Sequence, residues 1–221
     1  MSDDSHRNPG GGCSTLAAGE SPPPQFSGDG GPANSADLDR PTGVAVDAKG
    51  NIYISDQLNN RIRKVTPDGR IQTIAGTGEA GYGGDNGPGL AAKLAHPMGI
   101  AVDSDSNVYV ADRENNRIRK IGVDGTIRTV IGSGRRGQSG NGAAPSISLD
   151  FPHGVAIDAR GTLYVADTFN HRIRRLDPDG VVRVIVGTGK QEFIGDGGHT
   201  MQAGLGARPI PYRSTPTAIS T

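Results

Sequence analysis

The stretch 41–76 reads PTGVAVDAKGNIYISDQLNNRIRKVTPDGRIQTIAG, and it is written twice more. PMGIAVDSDSNVYVADRENNRIRKIGVDGTIRTVIG starts at Pro97 and PHGVAIDARGTLYVADTFNHRIRRLDPDGVVRVIVG at Pro152. Offsets of 56 and 55 residues separate the copies. The linkers keep the same beat, because Asp29, Asp85, Asn141 and Asp196 each hold the second position of a GDGG-like turn. Repetition at such a period marks an array of like units that bury their faces only against one another.

Each unit contains four β-type runs separated by turn residues. In the first they are GVAV, NIYIS, RIRKV and IQTIA, broken by DAKG, DQLNN and TPDG. Val44 and Val46 oppose Ala45, and Ile52 and Ile54 oppose Tyr53, so the first two runs are apolar on both sides. That pattern predicts inner strands covered on both faces. Charges enter the third run, and polarity rises toward the fourth, as in a radial sheet whose first strand lies near a crowded axis. The fold class expected is all-β, a partial β-propeller of four-stranded blades. Complete units span about 41–76, 97–132 and 152–187 within an array at 26–198. Residues 1–25 are expected to form a flexible tail with a remnant outer strand at 14–19, and 199–221 a degenerate tail. There Pro211 stands where a blade has its Gly, and the Val-Ala-Val core is missing.

The pattern P-x-G-[VI]-A-[VI]-D, then [IVL]-Y-[IV]-[SA]-D-x-x-N-x-R-I-R-[KR], resembles the NHL repeat family. FSGDGGPA at 26–33 resembles the inter-blade loops of its bacterial and teneurin-like branch. The resemblance implies propellers of about six blades that act mainly as binding platforms for proteins, RNA or extracellular ligands, with a few metal-dependent enzymes among the relatives. The function expected is a non-catalytic binding or scaffold module. A metal-dependent lyase or lactonase-like hydrolase is the alternative, and an RNA-binding platform the third reading.

Composition narrows these readings. In 221 residues, Lys+Arg 23 balance Asp+Glu 23, so no overall field draws the chain to nucleic acid or to an anionic membrane. Aromatics are 4%, few for stacking bases. The single cysteine, Cys13, excludes an internal disulfide. Residues 1–25 hold no apolar run of signal-peptide length, and no stretch is long enough to span a bilayer, which leaves the compartment open.

The basic segment NNRIRK, at 59–64 and 115–120, and its near copy NHRIRR at 170–175 admit two explanations. In the structural one, Asp56, Asn59 and Arg61, with Asp112, Asn115 and Arg117 and with Asp167, Asn170 and Arg172, fix a turn. The guanidinium then pairs with that aspartate, or with its equivalent in a neighbouring blade. In the other, Arg63/Lys64, Arg119/Lys120 and Arg174/Arg175 align into a cationic arc facing phosphates. Neutral charge and the nearby Asp68, Asp124 and Asp179 favour the structural reading and disfavour nucleic acid.

Thr42, Met98 and His153 share one variable position and are the candidate ligand-facing residues at a channel mouth. His96 and His153, each beside an inner-strand proline, lack the converging partners that a metal needs, and each GDGG turn offers one carboxylate at most. No metal, cofactor or catalytic residue is expected, since there is no P-loop, HExxH or nucleophile elbow. Three blades cannot close a ring. The chain is therefore expected to be a fragment of a longer propeller, to cover its flanks with its tails, or to complete a ring as a homodimer.

Overall fold

A computed structural model describes residues 26–192. The expected remnants at 14–19 and 193–198 and the tails at 1–25 and 199–221 lie outside them.

Three antiparallel sheets stand side by side. The first consists of β1 (Pro41–Val46), β2 (Ile52–Asp56), β3 (Arg61–Val65) and β4 (Ile71–Ala75), in that order. The second contains β6 (Pro97–Val102), β7 (Val108–Asp112), β8 (Arg117–Ile121) and β9 (Thr126–Ile131), with the two-residue β5 (Gly87–Pro88) outside β9. In the third, β11 (Pro152–Ile157), β12 (Leu163–Asp167), β13 (Arg172–Leu176) and β14 (Val181–Val186) are joined at the edge by β10 (Gly142–Ala143). The innermost strands β1, β6 and β11 are neighbours, so the sheets radiate as blades.

The fifth strands were not expected. They arise because each linker folds along the outer edge of the blade that follows it; in the first blade the same contact is a single bridge between Pro32 and Arg70. A 3-10 turn succeeds each contact, at Ala33–Ser35, Gly89–Ala91 and Ala144–Ser146.

Two apolar layers fill the seams. Between the first two blades lie Tyr53, Ile62, Leu94, Ile100, Val108 and Val110; between the second and third lie Ala111, Ile118, Ile131, Ile147, Leu149 and Val165. Leu94, Ile147 and Leu149 come from linkers, which thus act as wedges. The expected covering of both faces holds for β7, whereas on the outer face of the first blade Val44 is 68% and Val46 58% exposed. Among the described residues no blade packs against that face, whereas the equivalent Ile100, covered by the first blade, is 8% exposed.

The hairpin between the first two strands is fixed chemically. Asp47 accepts from the Lys49 and Asn51 N–H groups, from Asn51 Nδ2 and from the Tyr53 hydroxyl. Burial alone would raise this carboxyl, but those hydrogen bonds outweigh it and hold it far below the usual range. Asp103 and Asp158 repeat the arrangement with Tyr109 and Tyr164.

Candidate functional site

At the end of each second strand the Asp and Asn meet as the sequence suggests. Asn59 Nδ2 lies 2.9 Å from Asp56 Oδ2, Asn115 Nδ2 2.8 Å from Asp112 Oδ2, and Asn170 Nδ2 2.8 Å from Asp167 Oδ2. The backbone partner is distant in sequence: Asp56, Asp112 and Asp167 accept the N–H of Asp39, Ala95 and Asp150, seventeen residues earlier in each case. Each aspartate therefore ties a turn to the linker ahead of its own blade.

The arginine paired with that aspartate is not Arg61, Arg117 or Arg172. It is the next one, Arg63, Arg119 or Arg174, all fully buried. Arg61 and Arg63, two residues apart, share one face of β3, and both guanidiniums lie over the Phe26 ring. Depth along the strand separates them, because Arg63 is fully buried while Arg61 sits half-buried at the strand's first position. Arg63 also reaches Asp29 at 2.9 Å and Arg119 reaches Asp85 at 2.7 Å. Where Asn141 replaces the acid, Arg174 turns its Nε to Asp167 at 2.6 Å and gives its Nη donors to the Gly140 and Ser139 carbonyls. Burial pushes Asp112 up to about 6, against the Ala95 N–H, Asn115 and Arg119, which favour its charged form. Arg61 and Arg117 bond the Gly76 and Ser133 carbonyls and stack on Phe26 and Tyr82, and Arg172 bonds the Thr188 and Ser139 carbonyls. The cationic arc therefore does not exist as drawn: three of its six cations are sealed inside the blades.

The second position of the innermost strands lies at the end of the array carrying the β2–β3, β7–β8 and β12–β13 turns. Thr42 donates to the Pro97 carbonyl at 3.2 Å, and Met98 is half-buried. No hydrogen bond or ring contact joins Thr42, Met98 and His153 among the described residues. Around His153, however, residues from two blades and a linker converge. Arg113, on the β7–β8 turn, donates from Nε to His153 Nε2 at 3.0 Å across the seam. Burial, then the Arg113 charge, holds the imidazole below its usual pKa, so it is neutral and free to accept. Its ring meets Phe169 edge-on, and Phe169 meets Phe151 in the same way at 5.2 Å.

The guanidiniums of Arg113 and Arg136 lie 4.4 and 4.3 Å from the Phe151 ring centre. Glu114 stands 3.1 Å from Arg113 and 2.8 Å from His96, and Asp150 holds Arg136 Nε at 2.8 Å. The Nη groups of Arg136 and Nη2 of Arg113 have no protein acceptor among the described residues. Phe151 has φ 46, a left-handed conformation rare for a bulky side chain, and its N–H bonds Asn116 Oδ1 at 3.0 Å.

Sequence reasoning found His153 but missed Arg113, Arg136, Phe151 and Phe169. An aromatic one residue before the innermost proline, where the other copies carry Arg40 and His96, was the available signal. Among the described residues no three His, Cys, Asp or Glu side chains are placed to hold a metal ion. A second concavity, of about 760 Å³, lies at the opposite end of the first seam beside Tyr53, Lys64, Leu90 and Val123.

Radial four-stranded sheets sealed by linkers define a β-propeller scaffold. The chain belongs to the NHL repeat family: the Teneurin NHL domain profile matches residues 16–82 and 77–141, and the NHL repeat profile matches 149–176. Teneurin-m of Drosophila melanogaster is 33% identical over 159 residues, 62% of this chain and 6% of its own length. NHL repeat-containing protein 2 of Bos taurus is 29% identical over 173 residues, 69% of this chain and 24% of its own. The chain thus spans a quarter or less of these relatives. Among solved structures, a structural genomics protein of unknown function from Bacteroides thetaiotaomicron superposes with a TM-score of 0.61 at 22% identity, over 76% of this chain and 40% of that one. An auxiliary nutrient binding protein from Bacteroides ovatus gives 0.53 at 16% identity, over 69% and 37%. At these identities the structural likeness concerns the fold.

Proposed function

We propose that this chain is a non-catalytic binding module, and that its ligand surface is the cluster of Arg113, Arg136, Phe151, His153 and Phe169 at the second seam. The observation that carries this reading is the free Nη1/Nη2 edge of Arg136, with Nη2 of Arg113 on the other side of Phe151, beside a 44% exposed Phe169. Such an edge takes a carboxylate in two parallel hydrogen bonds, and the aromatic next to it takes an apolar side chain. The occupant with both features is a protein segment carrying Asp or Glu beside an apolar residue. His153, being neutral, keeps Arg113 oriented without adding a charge.

Short peptides with acidic, neutral and basic residues beside a leucine or phenylalanine, displayed on an array, test this. The acidic set is expected to bind the wild type and to lose binding to Arg136→Gln and Phe169→Ala. An indifferent array, or one that treats wild type and variants alike, rejects the reading. Elemental analysis of the purified chain separates it from a metal-dependent lyase or lactonase, for which one zinc or calcium per chain would be found.

A further inference from the structure

The two seams inside the chain follow one rule. First, a glycine on the innermost strand lets the next blade's backbone come close. A Cβ on Gly43 would strike the Met98 carbonyl oxygen, and one on Gly99 would lie 2.5 Å from the His153 carbonyl oxygen. Second, an amide at the β2–β3 or β7–β8 turn bonds the left-handed residue that begins the next blade. Asn60 Oδ1 accepts the His96 N–H at 2.9 Å, and Asn116 Oδ1 accepts the Phe151 N–H at 3.0 Å. Third, the apolar residues of the following blade close over the seam.

Each open flank carries the unused half of that rule. On the third blade Gly154 keeps the glycine, yet a Cβ there would meet only Ala166 of its own blade. His171 occupies the Asn60 position with φ 50, and the turn that carries it has no following blade against it among the described residues. On the first blade Arg40 has φ 49, matching His96 at 48 and Phe151 at 46, and its N–H has no acceptor among the described residues. Val44 and Val46 are bare, and Leu38 is half-exposed where Leu94 and Leu149 are fully buried.

We propose that the free face of the third blade docks the first blade of a second copy of this chain, with Arg40 of that copy set against the turn at His171 as His96 is set against the turn at Asn60. The surfaces are those that already mate twice within the chain, in the same order. Propellers close with 4–8 blades, and among multiples of three only two copies fall in that range, so paired seams close a six-bladed ring on a two-fold axis. The sequence at 193–221 is a poorer occupant. It has Pro211 in place of the seam glycine and no Val-Ala-Val run to cover Tyr164 and Ala156.

Sedimentation and light scattering of the full chain at micromolar concentration test the proposal. The expected species has twice the 22.8 kDa chain mass. Val44→Lys/Val46→Lys, at exposed positions, should give a folded monomer with unchanged far-UV circular dichroism. Gly154→Val blocks the opposite flank and should also give a monomer, whereas a contact joining first blade to first blade would survive it. A monomeric wild type, an open-ended polymer, or a dimer that withstands either substitution overturns the proposal.

Discussion

Arg113 Nε donates to His153 Nε2 at 3.0 Å across the seam between the second and third blades, so a bond between two basic side chains requires the imidazole to stay neutral. Protonation would remove the acceptor and set two cations against each other. The folded-state pKa lies below the ordinary 6.5 of the unfolded chain, so the unfolded state takes up the proton first. The contribution of this contact is thus complete above pH 6.5 and declines as pH falls through 6.5 toward the lowered folded value. Glu114, Arg136 and Asp112 are nearby charges common to wild type and variant, so the comparison is differential. Between pH 7.5 and pH 5, wild type should lose thermal stability relative to His153→Gln. Parallel unfolding profiles would show that His153 is not the titrating group.

The buried Asp112–Arg119 pair predicts an unequal cost for two charged residues of one blade. Asp112→Ala leaves the fully buried Arg119 without its interior carboxylate, a loss of about 3–5 kcal/mol. Arg117→Ala removes a ring contact with Tyr82 and a carbonyl bond at the strand's mouth, about 1 kcal/mol. Urea titrations of the two variants check this; equal costs would mean that the seam does not depend on the buried pair.

The blade was legible because its signals are local. Alternation of Val, Ala and Tyr, turn glycines and a fixed period determine strands whatever lies beside them. The partnership of Asp56 was harder to read, because Arg61 and Arg63 share one side of β3 and differ only in how deep along the strand they lie. Direct sequence proximity favoured Arg61, while burial selects Arg63. The mouth cluster was less legible still. Arg113, Arg136 and Phe151 come from a turn and a linker that the repeat does not constrain, and they meet His153 only once two blades are stacked. Val44 and Val46 show the opposite limit: their sequence predicts burial, and they are exposed because no blade among the described residues packs against that face.

Tyr53 anchors the first hairpin to Asp47 from a nearly closed seam, and burial followed by that carboxylate pushes its phenol up to about 12. Tyr53→Phe keeps the ring and leaves Asp47 with its donors from Asn51 and Lys49. The loss expected is that of one hydrogen bond to a charged group, about 1.5–3 kcal/mol. The denaturation midpoint should fall with the slope unchanged; a changed slope would mean that the hairpin itself had opened.

Phe151 predicts a separation of stability from binding. Its left-handed backbone costs of order 1–3 kcal/mol in a bulky residue, whereas each guanidinium stacked on its ring returns about 0.5–1 kcal/mol. Phe151→Gly relieves the first and forfeits the second together with the edge contact to Phe169, about 0.5–1.5 kcal/mol, and the backbone N–H to Asn116 is retained. Thermal stability should therefore change little, while Arg113 and Arg136 lose their common platform and acidic peptides lose affinity by tenfold or more. Calorimetric unfolding with peptide titration of the same preparation measures both. A variant that binds as well as wild type would show that the strained phenylalanine serves the seam alone, and a variant that fails to fold would show that the ring itself holds the blades together.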